Sequence, residues 1–371
     1  MVILFIVADG ISEFNSSNFR VALPTDALIR AGHEVHILNV RQWMAKTEYA
    51  RSICHKADII HLQRVLVTDT HDDIVYWRSK GKAVVVDFDD AYQMIHDDNA
   101  AAPFWLHGEV DISLPTGLSY SAKMDEHPVD QFQKGLRVCT ALITPSGILS
   151  DDWRVGAPEF VVPNFLDTKL YREAPKHDNS PNIILGWGGS LSHVQSWKDS
   201  GINEALQQIL QEQENIRLLI VGDKRVADQL PMRKDRVMFS PYTAWWNWQT
   251  TLMRYDIGLA PLAGDYDDRR SNLKVAEYLM AGLPFVATRS PVYEEFFEAD
   301  SGRFTKHGHS KEEYQDRVED WYKSTIDVIE NIEYYRSLAA VNIDKYGMRY
   351  DADRGVSKII SVYKQIISLE K

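Results

Sequence analysis

The stretch Ser271–Thr288, SNLKVAEYLMAGLPFVAT, joins an apolar helical pattern to an apolar run through a short turn. Lys274 and Glu277 are its only charged residues, and they share one face of the predicted helix because residues three apart are neighbours there. Gly282 can adopt the left-handed conformation that ends helices, and Pro284 prevents continuation of the helix. The stretch is therefore predicted to form a helix, an abrupt turn and a buried strand.

The same alternation of strands and helices extends along most of the chain, as expected for parallel sheets covered by helices. Continuous apolar runs such as AVVV indicate strands buried on both faces. The strands predicted in the first half are Val2–Ala8, Glu34–Val40, Asp58–Leu62, Ala83–Phe88, Ala141–Thr144 and Phe160–Val162. The second half repeats the scheme with NIILGW, IRLLIVG, RVMFS, DIGLAPL and PFVAT, and a helical tail follows. We therefore predict an α/β chain with two Rossmann-like domains.

Several helices are predicted as single elements. The segment FRVALPTDALIRAGHEV is predicted as one helix that ends at Gly32, and residues 193–212 are predicted as another. A tryptophan-rich helix is predicted near residues 244–254, where at least two of Trp245, Trp246 and Trp248 are interpreted as packing residues. SPVYEEF is predicted to start a helix capped by its serine.

A polar, proline-containing segment at residues 172–182 separates the two halves and predicts a linker. We expect a first domain over residues 1–172, a second over residues 173–345 and a C-terminal helix over residues 346–371. An irregular insertion at about residues 91–133 interrupts the first domain. Long irregular connections in compact domains are often functional, although a mobile surface insertion without a role is an equally good interpretation.

Composition and charge exclude several classes of protein. The chain has 371 residues, of which 44% are hydrophobic, and a formal charge of −12. This acidity argues against a surface dominated by contacts with nucleic-acid backbones or anionic membranes, so an anionic ligand must be met locally. The only cysteines, Cys54 and Cys139, exclude a disulfide-stapled scaffold. The opening VILFIVA reads as a strand without a basic leader, and we expect a cytoplasmic protein with no membrane span.

Arg269, Arg270 and Lys274 crowd the amino end of the helix in the opening stretch, where the helix dipole disfavours cations. A bound phosphate would reverse that cost, because free backbone N–H groups at a helix start also bind anions. Glu277, one turn further on, could accept paired hydrogen bonds from a vicinal diol such as a ribose. Phosphate donors followed by a diol acceptor describe a nucleotide site, with Arg270 among its donors. A weak surface ion pair between Lys274 and Glu277 is the alternative interpretation.

LKVAEYLMAGLPFVAT resembles the nucleotide-sugar motif of GT-B-fold glycosyltransferases, most closely the retaining family 4, or glycosyl transferases group 1. The resemblance implies two Rossmann-like domains facing an interdomain cleft, with a C-terminal helix that crosses back to the first domain. It implies that Glu277 binds the donor ribose and that Lys274, with the helix amides at Asn272 and Leu273, lies near the diphosphate. The family often has another glutamate at the position of Arg269, so Arg269 becomes a candidate catalytic residue.

Further donor-site candidates follow other strands of the second half. Gly188 and Gly189 permit close approach of a ligand to the backbone, and the helix starting near Ser190 and His193 could present N–H groups to phosphate. A tight connection between a strand and a helix would look the same in the sequence. Tyr242 lies where the family has its base pocket and could stack on the donor base.

Three acids, Asp87, Asp89 and Asp90, follow a buried strand of the first half. Clustered carboxylates raise one another's pKa unless they are paired or bound to a metal. An Asp-x-Asp site for Mg²⁺ or Mn²⁺ is one interpretation, and helix capping by Asp90 is another. The two-domain layout of the resembled family favours a metal-free role, with Asp89 and Asp90 as catalytic candidates near the acceptor.

The acceptor is expected to contact the first domain through three further candidates. Gly10 lies in the turn after the first strand, where the family has a glycine-containing loop. Arg20 is a candidate contact for a phosphate or carboxylate, with an ordinary surface arginine as the alternative. His96 lies in the insertion that follows the three acids.

The resulting hypothesis is a hexosyl- or pentosyltransferase that moves a sugar from a nucleotide diphosphate sugar to an acceptor, with retention and without a metal or other cofactor. A nucleotide-sugar epimerase or phosphorylase of the same fold is one alternative, and a non-catalytic nucleotide-binding partner of another enzyme is a second. A glycan, a lipid-linked sugar, a metabolite, a protein and a hydroxymethylated DNA base stay open as acceptors. The acid-rich insertion offers little of the basic stripe that DNA would require.

Overall fold

The chain folds into two compact units, each with its own parallel sheet. The computed structural model describes residues 1–8, 15–64, 66, 68–99, 101–113, 119–173, 180–230 and 235–370. Unit 1 comprises Met1–Leu166 and Asp351–Lys371, and unit 2 comprises Asp167–Tyr350. The predicted domain boundaries after residues 172 and 345 fall inside helices of unit 2, so the change of unit occurs a few residues away from each.

Unit 1 is built on a six-stranded parallel sheet in the order β2-β1-β3-β4-β7-β8. Its strands are β1 (Val2–Val7), β2 (Glu34–Asn39), β3 (Ile59–Gln63), β4 (Ala83–Asp87), β7 (Ala141–Thr144) and β8 (Glu159–Val161). β3, β4 and β7 are buried along their whole length, which explains the apolar runs of β4 and β7. All the strands predicted for the first half are present, with ends shifted by at most one residue.

Helices numbered in chain order cover the sheet of unit 1. They are α1 (Leu23–Arg30), α2 (Val40–Met44), α3 (Glu48–Lys56), α4 (Thr68–Ser79), α5 (Ala102–Trp105), α6 (Pro128–Val138), α7 (Gly147–Asp152) and the C-terminal α16 (Ala352–Ser368). A π-helical turn, Asn18–Ala22, precedes α1, so the helix predicted to end at Gly32 has two parts. α16 packs on α1 and β4, which makes it part of unit 1.

The predicted irregular insertion at about residues 91–133 is largely regular, which corrects the sequence interpretation. After a 3-10 turn and α5, β5 (Glu109–Ser113) and β6 (Ser119–Lys123) form an antiparallel hairpin outside the main sheet, and α6 follows. Tyr92 stacks on Trp105 with ring centroids 4.1 Å apart, and Phe132 of α6 lies against the edge of Trp105 at 5.7 Å. Aromatic contacts hold this region together, whereas the strands of the central sheet were predicted from long apolar runs in the sequence.

Unit 2 contains a second six-stranded parallel sheet in the order β11-β10-β9-β12-β13-β14. Its strands are β9 (Ile183–Gly189), β10 (Ile216–Gly222), β11 (Val237–Ser240), β12 (Ile257–Ala260), β13 (Phe285–Thr288) and β14 (Gly302–Thr305). The sequence analysis missed β14. This strand is a four-residue edge strand, and its residues do not form a continuous apolar run.

Eight α-helices are described in unit 2. They are α8 (Thr168–Glu173), α9 (Val194–Asp199), α10 (Ile202–Glu212), α11 (Lys224–Asp228), α12 (Trp248–Leu252), α13 (Leu273–Ala281), α14 (Tyr314–Glu330) and α15 (Ile332–Tyr350). The single helix predicted for residues 193–212 is divided at Gly201, whose φ of +86° cannot belong to a right-handed helix. Trp245–Asn247 and Pro291–Phe296 are 3-10 turns, although Ser290 caps the second of them as predicted.

Among the described residues, no helix is long and apolar enough to cross a membrane. In the same part of the chain, no cluster of three or more histidine, cysteine, aspartate or glutamate side chains is arranged to hold a metal ion.

Candidate functional site

The strand order of unit 2 reverses direction between β9 and β12. β10 and β11 extend from one side of β9, whereas β12, β13 and β14 extend from the other. At such a switch point the loops diverge and leave a crevice at the carboxyl ends of the strands, where open parallel sheets bind ligands. The loop at residues 190–193 follows β9, and the loop at residues 261–272 follows β12 and leads into α13. Of the ten predicted donor residues, four lie on these two loops and five more lie at the end of β9 or in α13.

Lys274 and Arg270 connect the two sides of this crevice. The Nζ atom of Lys274 donates a hydrogen bond to the carbonyl of Gly188, at the end of β9. The guanidinium of Arg270 donates to the carbonyl and the hydroxyl of Ser192, each at 2.8 Å, and to Nε2 of His193 at 2.9 Å. The structure therefore places Arg270 and Lys274, around the start of α13, against the end of β9 and the loop that follows it.

The glycines at the end of β9 serve packing as well as turning. A Cβ atom on Gly188 would lie 2.3 Å from the ring of Trp248, and one on Gly189 would lie 2.6 Å from the ring of Trp187. The sequence analysis attributed both glycines to close approach by a ligand. In the structure, side chains of unit 2 already occupy the space beside their Cα atoms, so any larger residue would displace a tryptophan.

Glu277 is 5% exposed, and one of its carboxylate oxygens is already bound. Oε1 accepts hydrogen bonds from the hydroxyl of Tyr171 at 2.9 Å and from Nε1 of Trp248 at 2.8 Å. Burial raises the pKa of this carboxyl, and the two donors and Lys274 act in the opposite direction. A buried carboxylate with two neutral donors is different from the weak surface ion pair that the sequence left open.

The sequence analysis missed Tyr171 and treated Trp248 only as a member of a packing group. Tyr171 lies in α8, which occupies part of the predicted linker, and 106 residues separate it from Glu277. A helical period relates only residues within a few turns, so it could not reveal this partner. The signal that was available is chemical, because a buried glutamate requires hydrogen-bond donors from elsewhere in the fold.

The positive charges of Lys274 and Arg270 in the crevice are poorly solvated. Burial lowers the pKa of the Lys274 ammonium, and the charge of Arg270 lowers it further, while Glu277 and Asp267 oppose both. Burial and the same two cations hold the pKa of His193 well below its usual value, so its ring is neutral. Since Nε2 of His193 accepts from Arg270, the ring proton is on Nδ1, which is buried and has no partner in the described part of the chain. A ligand oxygen would satisfy this donor.

The residues around the start of α13 differ in their contacts. Asn272 does not cap the helix with its side chain, which donates instead to Glu295 and, at 2.8 Å, to the hydroxyl of Tyr350. Leu273 is the first helical residue, so its N–H group and those of the next residues lie in the first turn, where no helical carbonyl can accept from them. Arg269 ends a 3-10 turn and donates to the carbonyl of Asp265 at 2.8 Å.

Ser190 and Tyr242 follow two strands of the same sheet, β9 and β11, and both are exposed. The Ser190 hydroxyl is 2.8 Å from that of Ser192, within the loop that Arg270 holds. Tyr242 follows β11 and is 53% exposed, with its ring next to Gly222 at the end of β10. About half of its surface is therefore accessible to solvent.

In unit 1, the structure gives Arg20 a different environment from the predicted one. Arg20 is 4% exposed, and its guanidinium donates to both carboxylate oxygens of Asp87, at 2.8 and 2.6 Å. A third bond goes to the carbonyl of Val162 at 2.6 Å. Although burial raises the pKa of Asp87, Arg20 and His61 outweigh it and hold that pKa below its usual value. The expected contact of Arg20 with an acceptor is therefore corrected to a buried ion pair within unit 1.

Asp89 and Asp90 lie close to Arg64, which the sequence analysis did not single out. Arg64 follows β3 with a positive φ of 46°, and its backbone N–H donates to the carbonyl of Asp87 at 2.9 Å. Although burial lowers the pKa of its guanidinium, Tyr92 and the two aspartates outweigh that effect and raise it. The acid cluster at the end of β4 thus has cationic partners within the chain, which the sequence interpretation had lacked.

The remaining acceptor-side candidates are Gly10 and His96. Gly10 lies outside the described residues. His96 follows the 3-10 turn Tyr92–Met94, is partly exposed, and its carbonyl accepts a hydrogen bond from the backbone of Asn99 at 2.9 Å.

Comparison with known proteins connects this arrangement to a family. Residues 183–324, which include β9 and all of α13, match the family model described as glycosyl transferases group 1. Comparison with curated protein sequences gave no match.

Solved structures resemble the whole chain. HepE of Anabaena, in complex with UDP and glucose, aligns with a TM-score of 0.61 and 15% identity over 98% of this chain and 100% of its own. Sucrose-phosphate synthase of Thermosynechococcus elongatus aligns with a TM-score of 0.63 and 12% identity over 99% of both chains. A glycosyltransferase of Rickettsia africae aligns with a TM-score of 0.64 and 11% identity over 99% of this chain and 98% of its own.

The two parallel sheets and the similarity to these solved structures show that the chain has the GT-B fold. The match to glycosyl transferases group 1 covers residues 183–324, which include both sides of the crevice between β9 and β12. The family resemblance and the α/β fold class predicted from the sequence are both confirmed.

Proposed function

We propose that the protein transfers a sugar from a nucleotide diphosphate sugar bound at the β9–β12 crevice. The observation that carries the proposal is the meeting of Lys274, Arg270 and the first turn of α13 beside Gly188. Cations at the amino end of a helix are repelled by the positive end of the helix dipole. A bound diphosphate offsets this repulsion, because its negative charge attracts both the cations and the helix end. HepE, which shares the fold, has been solved with UDP and with UDP-glucose, so UDP is the first probe.

Each residue of the crevice has a role in this proposal. Lys274 and the N–H groups of the first turn of α13 bind the diphosphate, while Arg270 holds the loop at residues 190–193 beside it. Glu277 accepts the ribose hydroxyls, and Tyr242 stacks on the base. When the bond between the sugar and the diphosphate breaks, negative charge grows on the leaving group, and the fixed cations stabilise that charge without a metal.

The remaining roles concern the sugar and its acceptor. We assign Arg269 to the neighbourhood of the reacting sugar and propose retention of configuration, as in the family that the motif resembles. Asp89 and Asp90 of unit 1 are proposed to contact the acceptor. Both carboxylates lie close enough to Arg64 to raise the pKa of its guanidinium, and carboxylate oxygens accept hydrogen bonds from hydroxyl groups.

A melting-temperature screen with UDP, GDP and ADP tests donor binding. At least one nucleotide should raise the melting temperature of the wild-type protein, because a ligand that binds only the folded state stabilises it. Lys274→Ala should abolish that rise. Lys323→Ala is the matched control, since it removes an exposed lysine of unit 2 whose ion pair is with Glu319 on its own helix. A full response in Lys274→Ala, or none in the wild type, contradicts the proposal.

The reaction products distinguish transfer from the rival activities. A transferase releases nucleoside diphosphate in step with glycosylation of the acceptor. An epimerase consumes the donor without an acceptor and returns an isomer, and a phosphorylase requires inorganic phosphate. Binding without turnover over a broad panel of donors and acceptors would instead support a non-catalytic role.

A further inference from the structure

Tyr171 lies where the sequence predicted the approach to a linker, but the structure gives it a role in the core of unit 2. It belongs to α8, is 3% exposed, and donates its hydroxyl proton to Oε1 of Glu277 at 2.9 Å. Trp248 of α12 donates to the same oxygen at 2.8 Å. Two neutral donors from separate helices therefore converge on one oxygen of a carboxylate on a third helix.

This convergence leaves the other carboxylate oxygen available. Within the described ranges, Oε2 of Glu277 accepts no hydrogen bond. The terminal torsion of a glutamate is broad and takes no sharp preferred value of its own. The bonds from Tyr171 and Trp248 remove that freedom, because rotation of the carboxylate would break both. Glu277 is thus held in one orientation with one acceptor oxygen unused.

We propose that Tyr171 is a positioning residue that makes the site select ribose over deoxyribose, by holding Glu277 with Oε2 directed at the ribose hydroxyls. The inference rests on the proposed donor site and adds a residue outside the family motif. Its physical basis is the cost of leaving an acceptor oxygen unpaired once a bound nucleotide has covered it. A deoxyribose lacks one of the hydroxyl groups that would donate to Oε2. If the carboxylate could rotate, Oε2 would find another donor, so the preference for ribose depends on the two bonds that hold Oε1.

The test compares the affinities of two nucleotides that differ by one hydroxyl. Isothermal titration calorimetry gives the Kd values of UDP and 2′-deoxy-UDP, or of the matching pair for GDP or ADP if that base gives the melting-temperature rise. We expect the wild-type protein to prefer the ribonucleotide by about tenfold or more, as for a hydrogen bond to a charged acceptor. Tyr171→Phe should reduce this preference to about threefold or less.

Tyr278→Phe is the matched control for Tyr171→Phe. Tyr278 is also a buried tyrosine of unit 2, and it lies next to Glu277 in α13, but its hydroxyl donates to the carbonyl of Leu259 at 2.8 Å. Both substitutions remove one buried hydroxyl. A merely structural effect would lower the melting temperature in both variants and leave the ratio of the two Kd values unchanged in both.

A double-mutant cycle shows whether Tyr171 acts through Glu277. If it does, Tyr171→Phe combined with Glu277→Gln should discriminate no less than Glu277→Gln alone, since the second change has already removed the charged acceptor. If Tyr171→Phe does not fold, Trp248→Phe removes the other donor to Oε1 and must lower the preference in the same direction.

The outcomes separate this inference from the proposed function. Failure of the wild-type protein to bind UDP, GDP or ADP overturns the donor site itself. Binding without a preference for the ribonucleotide overturns the inference and leaves the donor site standing. The same holds for binding in which Tyr171→Phe keeps the wild-type preference.

Discussion

At the scale of single residues, we expect Lys274 to make binding at the proposed donor site depend on pH. Burial and Arg270 lower the pKa of its ammonium to about 7, with Glu277 and Asp267 acting against them. A bound diphosphate favours the charged form, so binding takes up a proton and the affinity falls as the pH rises above 7. We expect the affinity for UDP-glucose to decrease several-fold between pH 6 and pH 8.5, measured by calorimetry. UDP-glucose is suitable because its diphosphate diester does not titrate in this range.

Lys274→Arg is the control for this pH dependence. An arginine keeps its charge over the whole range, so the affinity of this variant should be nearly constant with pH. A wild-type affinity that is equally constant would show that Lys274 stays charged throughout. An affinity that changes with pH in both proteins would assign the titration to another group.

Residues of the site were predictable where the relevant contact is local. The spacing of Lys274 and Glu277 places both on one helical face, and the cations before them mark the helix start. Tyr171 and Arg64 were not predictable in this way. Each depends on a neighbour that the fold brings from a distant segment, and neither a tyrosine near a linker nor an arginine after a strand is unusual in itself.

At the scale of elements, Gly201 separates α9 from α10. Its φ is +86°, and a Cβ there would lie 2.9 Å from the backbone nitrogen of Val318 in α14. Gly201→Ala therefore adds a steric clash to backbone strain, and we expect it to lower the free energy of unfolding by about 2 kcal/mol or more. Gly264→Ala is the control, because Gly264 has a φ of +87° but only ordinary contacts near 3.8 Å. It should cost about 1 kcal/mol.

Urea unfolding followed by circular dichroism measures this difference. An equal decrease in the free energy of unfolding for the two variants would mean that α14 shifts at Val318 and relieves the clash. The division between α9 and α10 would then depend on backbone conformation alone. A larger loss for Gly201→Ala would assign part of the division to the packing of α14.

The elements that the sequence predicted well are the central strands. β4 and β7 are buried on both faces, and burial on both faces produces an apolar run that needs no tertiary information to recognise. The hairpin of β5 and β6 and the edge strand β14 lack such runs. The helical pattern across Gly201 misled the prediction, because a glycine within a helix and a glycine between two helices look alike in one sequence.

At the scale of the whole molecule, α16 completes unit 1 although it follows unit 2 in the chain. Tyr363 of α16 lies 2.8 Å from Nδ1 of His61, in the middle of β3, and the side chains of Ile359 and Ile366 are buried. Removal of residues 351–371 should therefore destabilise unit 1 selectively. In hydrogen exchange measured by mass spectrometry, peptides from β1, β3 and β4 should lose protection, while those from β9 and β10 should not.

Tyr363→Phe is the graded control for this truncation. It removes only the contact with His61 and keeps the apolar packing of α16, so its effect on exchange in unit 1 should be smaller. Equal loss of protection in both units of the truncated protein would show that the two units unfold together.

The return of the chain to unit 1 also affects the order in which the protein is made. Ribosomes extend chains at about 5 to 20 residues per second, and domains generally fold from the N-terminus as they emerge. Here the unit that begins synthesis first cannot close its core until all of Asp167–Tyr350 and then α16 have been added. All six strands of the unit 1 sheet precede unit 2 in the chain, but its core lacks α16 until unit 2 has been made. Unit 2 is a continuous segment, so it is able to fold before unit 1 is complete.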